Sequence, residues 1–302
     1  MAALEPAAAS PRGWRVWWLA ARPRTLTVAV APVMVGTAAA MADGRARLLP
    51  AAAALLASLL IQVGTNFAND LFDHEKGADA ADRIGPPRAV QMGLISAAGM
   101  RAGMLLTFAA AVLVGLYLVA VGGWPIAAIG GLCIAAGIAY TGGPFPLGYH
   151  ALGDLTVFVF FGVVAVCGTY YVQALALPPV VIAASIPVGA LATGVLVVNN
   201  VRDLETDRRA GKRTLAVRLG RRAARIEYAA LLLLPYALLP ALWIGGGAPA
   251  GVLLPFITLP RALSLIRTVA VRRDGPGLNA ALAGTAGLGL FFAALLGAGW
   301  LT

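Results

Sequence analysis

An all-α integral membrane protein of nine transmembrane helices is the fold this sequence predicts, and three observations predict it. Of the 302 residues, 60% are hydrophobic and only 12% are charged, about half the charge fraction of an ordinary soluble domain. Apolar runs of about 20 residues, enough to cross the hydrocarbon core of a bilayer, recur along the whole chain. The basic residues are also one-sided. Of 23 Lys and Arg, only Arg45 and Arg47 fall in loops that an odd–even count assigns to the far side. The positive-inside rule then gives a cytoplasmic N-terminus and, after nine spans, an external C-terminus.

Residues 1–20 read as a cytoplasmic tail that opens on the low-complexity stretch "MAALEPAAASPRG", which is expected to be unstructured. The apolar segment behind it lacks a small-residue cleavage site and is long enough to span, so it is not read as a cleaved signal. Trp14, Trp17 and Trp18 suit an interfacial aromatic belt. A single transmembrane domain then fills 21–302. Its first two spans, 24–42 and 48–69, flank the loop bearing Arg45 and Arg47. Spans 98–121 and 124–141 are joined by "VGGWP", 151–173 and 178–200 by "ALALPP", and 226–244 and 249–269 by "GGGAPAG". The ninth, 279–300, contains no charge. The long connections, 70–97 and 201–225, and the shorter 142–150 and 270–278 all fall on the cytoplasmic side. Long loops are uncommon unless they have a task, so the chemistry is expected at that face.

The net charge of +10 is mostly this topology, aided by anionic lipid; without a basic soluble module, no nucleic-acid partner is expected. Cys133 and Cys167 are isolated within apolar runs, and His74 and His150 are too sparse for a His-based metal site.

Two acidic clusters stand out against this background. In "NFANDLFDHEKGAD", Asn66, Asn69, Asp70 and Asp73 step by three, one and three residues; in "VVNNVRDLETD", Asn199, Asp203 and Asp207 step by four and four. Residues three or four apart share a helix face. The clusters end the second and sixth spans, consistent with two related halves facing each other across a cavity. Ordinary solvated loop acids are the bland alternative, but four aspartates brought together bare would repel. A bridging hard cation resolves the repulsion, and Mg²⁺ fits, being held typically by one or two carboxylates and substrate phosphates.

Bases adjoin the acids: Lys76, Arg83 and Arg88 after the first cluster, Arg202, Lys212 and Arg213 around the second. Each either sets topology or contacts a phosphate; Lys212, in "DRRAGKRT", is read as a contact. Acid, metal and base around a diphosphate at the mouth of an apolar cavity point to a lipid diphosphate with an isoprenoid tail. Ionising its allylic C–O bond yields a carbocation that needs a dry site and aromatic faces. Phe67, Phe72, Tyr140, Phe158, Phe160, Tyr170 and Tyr171 are candidates, with plain packing as the alternative for each.

The stretches "NFANDLFDHEKGADAADRIGPPRAV" and "VVNNVRDLETDRRAGKRTLAVRLG" resemble the two Asp-rich motifs of the UbiA-type intramembrane prenyltransferases. "ARPRTLTVAVAPVMVGTA", "AYTGGPFPLGYHALGD" and "FFGVVAVCGTYYVQ" extend the likeness towards the naphthoate branch of that family. The resemblance implies nine transmembrane helices around a central cavity, capped on the cytoplasmic side, in the plasma (inner) membrane. It also implies Mg²⁺-dependent transfer of a polyprenyl chain onto 1,4-dihydroxy-2-naphthoate, with loss of carboxylate, giving demethylmenaquinone. By position, Asn66, Asp70 and Asp73 with Asn199, Asp203 and Asp207 become the metal set. Asn69, Asn200 and Arg202 join the bases as substrate contacts. Where the family pattern often ends its first motif in Asp, this chain has Gly77, and the next acid is Asp79. Arg22 and Arg24 meet the acceptor carboxylate or anchor the interface; Asp154 and Tyr140 serve a phenolic proton or pack. The rival readings are another aromatic acceptor, such as 4-hydroxybenzoate or homogentisate, and a membrane transporter.

Overall fold

The computed structural model describes residues 13–78, 84–85 and 88–302. Asp79 and Arg83, both expected at the site, lie outside the described residues. Helix α1 (Trp14–Ala21) occupies the end of the expected tail and packs on α3, with the Trp17 ring edge-on to Phe67 at 5.5 Å between centroids. Arg22 turns the chain through the left-handed region (φ 54°), and Pro23 opens α2 (Pro23–Ala42), where its missing N–H is no loss. Then come α3 (Leu48–Glu75), α4 (Ala97–Gly122) and α5 (Trp124–Ala139). A short 3₁₀ turn, Leu147–Tyr149, leads into α6 (Gly153–Ala174). The last four are α7 (Pro179–Arg209), α8 (Leu215–Ile244), α9 (Ala250–Val271) and α10 (Gly275–Trp300).

Among the described residues, eight of these helices are long and apolar enough to cross a membrane, which makes the chain an integral multi-pass membrane protein. The expected fourth span, 124–141, is the shorter apolar helix α5, whose 16 residues reach about 24 Å at 1.5 Å per residue. Helix α7 is buried along most of its length and packs against α8, α10 and α6. Where α6 meets it, residues Phe158–Val164 adopt a π-helical turn. Gly162 and Gly189 let the two backbones touch there, since a Cβ on Gly162 would fall 2.6 Å from Gly189 Cα.

Both cap loops are shorter than expected. Helix α3 runs through Glu75 and α7 through Arg209, so the acids expected at 70–97 and 201–225 stay on rigid helices. Each helix stops in the same way. Gly77 (φ 63°) and Gly211 (φ 74°) take the left-handed conformation. Ala78 N–H then donates to the Asp73 carbonyl, and Lys212 N–H to the Asp207 carbonyl, both at 2.9 Å. This paired Schellman ending places Asp73 and Asp207 in equivalent positions, 134 residues apart (from 73 to 207). The same offset pairs Asn69 with Asp203 and Asn66 with Asn200. The register of the internal echo is thus set by the helix ends, and it pairs Asp70 with Leu204 instead of with Asp203.

Candidate active site

A cavity of about 620 Å³ lies between α2, α3, α4, α5, α6 and α7. On α3 its wall runs from Ala54 to Asp73, about 28 Å along the axis. The other helices line the cavity mostly with apolar side chains, and its charged groups gather at one end. The two pseudo-equivalent helices contribute matching positions: Asn66, Asn69 and Asp73 from α3, Asn200, Asp203 and Asp207 from α7. Asn199, Tyr140, Arg22, Arg88 and Lys212 also line it.

Asp73 is the hub of the polar end. Buried at 1% exposure, it accepts from Arg88 Nη2 at 2.6 Å and from the Tyr149 hydroxyl at 2.8 Å, and Lys212 Nζ stands 3.0 Å away. These donors come from three separate connections, so Asp73 ties the cap together. Tyr149 is the pivot: Lys76 and Lys212 lie over its ring at 5.0 and 4.9 Å, and its carbonyl accepts from Arg213 N–H at 2.9 Å. Tyr149 was not singled out in the sequence; it sits in "GGPFPLGYH" with no periodic or charge signal, and only the fold of that loop brings it to Asp73.

Asp203 is held bidentately by its neighbour Arg202, at 2.8 Å from Nε and 2.5 Å from Nη2. The same guanidinium donates to Asn199 and Asn279, each at 2.7 Å. Arg202 therefore orients the second cluster from behind and does not line the cavity. Lys76 likewise departs from the expected phosphate contact. Its ammonium donates to the carbonyls of Thr141 (2.5 Å) and Gly143 (3.3 Å). Partial burial pulls that ammonium below the usual lysine range; Asp73 opposes the shift and Lys212 adds to it.

Asp70 differs most from expectation. Its carboxylate turns from the cavity and accepts the N–H groups of Ala89 (2.9 Å) and Val90 (3.3 Å). Asp70 stands about 100° round the helix from Asn69, on the side that meets the segment at Ala89 and Val90. Asn69 in turn accepts from Thr141 at 2.9 Å, and Asn66 donates to the Ala21 carbonyl at 2.9 Å. Arg22 lines the cavity, whereas Arg24 is exposed. Asp154 does not line it, but its neighbour Gly153 abuts the Tyr140 hydroxyl. One Asp154 oxygen is buried with no hydrogen-bond partner among the described residues. Of the aromatic candidates, Tyr140 and Phe160 reach the cavity, joined by Phe161; Phe67, Phe72, Phe158, Tyr170 and Tyr171 pack elsewhere.

Among the described residues, no three His, Cys, Asp or Glu side chains come close enough to hold a metal by themselves. The donor set is nevertheless of the right kind: Asp73, Asp203, Asp207 and the Asn amide oxygens, all hard ligands, line one cavity. Such a set fits an ion that completes its shell with substrate phosphates better than one held in an all-protein cage.

An apolar cavity of membrane depth, closed at one end by paired acids and bases, defines an integral membrane enzyme for an amphiphile with an anionic head. Residues 29–296 match the UbiA prenyltransferase family, and the chain belongs to that family; it is a prenyltransferase. The 1,4-dihydroxy-2-naphthoate octaprenyltransferase of Mycobacterium leprae is 38% identical over 286 residues, covering 95% of this chain and 96% of the relative. The protein of that name from Bacillus subtilis is 31% identical, covering 95% and 92%. Among solved structures, a UbiA homolog from Archaeoglobus fulgidus bound to GPP and Mg²⁺ superposes with a TM-score of 0.67 at 17% identity, over 95% of this chain and 99% of that one. A homolog from Aeropyrum pernix gives 0.69 at 17%, over 90% and 96%.

Proposed function

We propose that this protein transfers a polyprenyl chain from an allylic diphosphate to 1,4-dihydroxy-2-naphthoate, with loss of CO₂. One observation carries the chemistry: Asp73 and Arg88 from one half, and Asp203, Asp207 and Lys212 from the other, share the polar end of a single long apolar cavity. The naphthoate acceptor is supported by the relatives' names. The polar end faces the cytoplasm in this reading. The chain crosses the inner membrane nine times, α5 being the short fourth crossing, with the N-terminus inside and the C-terminus outside. Residues 21–302 act as one transmembrane domain.

Asp73, Asp203, Asp207 and the adjacent Asn oxygens would hold Mg²⁺ together with the diphosphate, and the ion would supply Lewis-acid charge to the leaving group. The side chains of this protein do the rest. Arg88, Lys212 and Tyr149, which converge on Asp73, turn their donors to diphosphate oxygens and hold the head group. The C1–O bond breaks with its electron pair on the diphosphate. Phe160, Phe161 and Tyr140 face the allylic cation and keep water from it. Arg22 pairs with the acceptor carboxylate and sets the ring against C1. The phenolic proton passes through the Tyr140 hydroxyl towards Asp154. The ring carbon that bears the carboxylate then bonds to C1, and the carboxylate leaves as CO₂. The released electron pair restores aromaticity, and the proton returns from Asp154 through Tyr140 to the ring oxygen. The product is demethylmenaquinol, the reduced form of demethylmenaquinone.

The test is mass spectrometry of products from purified protein with Mg²⁺, a polyprenyl diphosphate and a panel of acceptors. Prenylated, decarboxylated naphthoquinol is expected, and EDTA abolishes it. Alkylation of 4-hydroxybenzoate or homogentisate with none of the naphthoate would overturn the acceptor. Undiminished turnover in EDTA would overturn the metal's role.

A further inference from the structure

The cavity wall on α3 is a stripe of polar side chains, Ser58, Gln62, Asn66, Asn69 and Asp73, spaced three or four residues apart on one face. Four of the five engage protein groups. Ser58 donates to the Ala29 carbonyl at 3.1 Å, while Asn66, Asn69 and Asp73 have the partners already described. Gln62 is the exception: its Oε1 is buried with no hydrogen-bond partner among the described residues. Without substrate, only water in the cavity can donate to that oxygen, and a bound ligand that displaces the water must replace the bond. The fold does not demand an amide there. The offset of 134 that relates the two halves places Leu196 at the equivalent position on α7 (from 62 to 196), lining the same cavity. One half of the bundle builds this wall with a hydrocarbon; the other carries an amide.

The oxygen needs a donor from the cavity's contents. A polyprenyl tail offers only C–H. Diphosphate oxygens are acceptors, and their partners Arg88 and Lys212 are at the polar end. An aromatic hydroxyl is the donor that remains in the substrates, and Gln62 lies one helical turn, about 6 Å, deeper than Asn66. We infer that Gln62 is a specificity-determining residue whose Oε1 accepts a hydrogen bond from the acceptor's ring hydroxyl remote from the carboxylate, while Arg22 faces the carboxylate itself. This rests on the naphthoate reading and sharpens it: the site selects a para-dihydroxy ring over a monohydroxy one. Sites built to bond a substrate hydroxyl reject the analogue lacking it, because the protein group is then left buried and bare.

The experiment compares the full-length protein with Gln62→Leu, which copies the residue the other half already tolerates, and Gln62→Met, which keeps the length but not the acceptor. Equilibrium dissociation constants and kcat/KM are measured for 1,4-dihydroxy-2-naphthoate and 1-hydroxy-2-naphthoate, together with KM for the prenyl diphosphate. The unaltered protein is expected to favour the dihydroxy ring by about tenfold or more. Both variants lose that preference through weaker binding of the dihydroxy ring, and KM for the prenyl diphosphate stays within about twofold. Retained selectivity in both variants, or a change confined to the prenyl diphosphate, would overturn the role of Gln62 while leaving the naphthoate reading intact. If the unaltered protein neither binds nor alkylates either naphthoate, the acceptor reading falls and this inference falls with it.

Discussion

Replacing Asp70 by asparagine separates a residue that supports the cap from one that ligates. In the native protein both carboxylate oxygens accept backbone N–H groups of the segment after Arg88, at 2.9 and 3.3 Å. A hydrogen bond to a charged, buried group contributes about 1.5–3 kcal/mol, the longer one falling at the lower end. Asparagine keeps one carbonyl acceptor and turns an NH₂ donor towards the other amide. One bond is lost and the other loses its charge assistance, a cost of about 2–3 kcal/mol. At 1.4 kcal/mol per tenfold, the segment containing Ala89 and Val90 opens roughly 30- to 100-fold more often. Amide hydrogen exchange read by mass spectrometry should show that loss of protection at Ala89 and Val90. Arg88 starts this segment and reaches Asp73, so KM for the prenyl diphosphate should rise about tenfold. The Mg²⁺ concentration needed for half-maximal rate should stay unchanged. Full protection at Ala89 and Val90 together with a greatly increased Mg²⁺ requirement would refute the reasoning and make Asp70 a direct ligand.

Asp73→Asn and Asp203→Asn, by contrast, should cut kcat by about 10²- to 10³-fold while thermal unfolding of the detergent-solubilised protein still shows a cooperative transition. Arg88→Ala and Lys212→Ala should each raise KM for the prenyl diphosphate by roughly 10- to 100-fold, the equivalent of one charge-assisted bond, with the acceptor's KM unmoved in steady-state assays. Tyr149→Phe, which removes only the hydroxyl bonded to Asp73, should lower kcat/KM about tenfold. Tyr149→Ala should lower it further, because Lys76 and Lys212 also lose the ring beneath them. Gly162→Val should reduce the melting temperature, since its side chain must enter the contact with Gly189 and overpacking costs about 1–3 kcal/mol; an unchanged transition would show that α6 and α7 have room to part.

The two acid clusters were visible in the chain because carboxylates at the ends of apolar runs have few bland explanations, and their spacing put most of them on one face. Three of the four aspartates do share the cavity with Lys212 and Arg88. The spacing could not say which way each helix is turned about its own axis. Asn69 and Asp70 are adjacent and both polar, and only the packing of α3 against α1 and α4 sends the first to the cavity and the second to the cap. Arg202 shows the same limit from the other side: its charge was legible, but its commitment to Asp203, Asn199 and Asn279 was not.

Membrane residence and helical class were determined by the sequence alone, because the bilayer imposes them locally: about twenty apolar residues must form their own backbone hydrogen bonds wherever they lie. The type of chemistry was also written there, in the acids and bases beside those runs. The register between the halves, the turning of Asp70 to the cap, the seat of Tyr149 and the cavity-facing amide oxygen of Gln62 were decided only in three dimensions. Each depends on how one helix is rotated against others distant in the chain, and a side chain's partner across a cavity leaves no mark on its own neighbours in sequence.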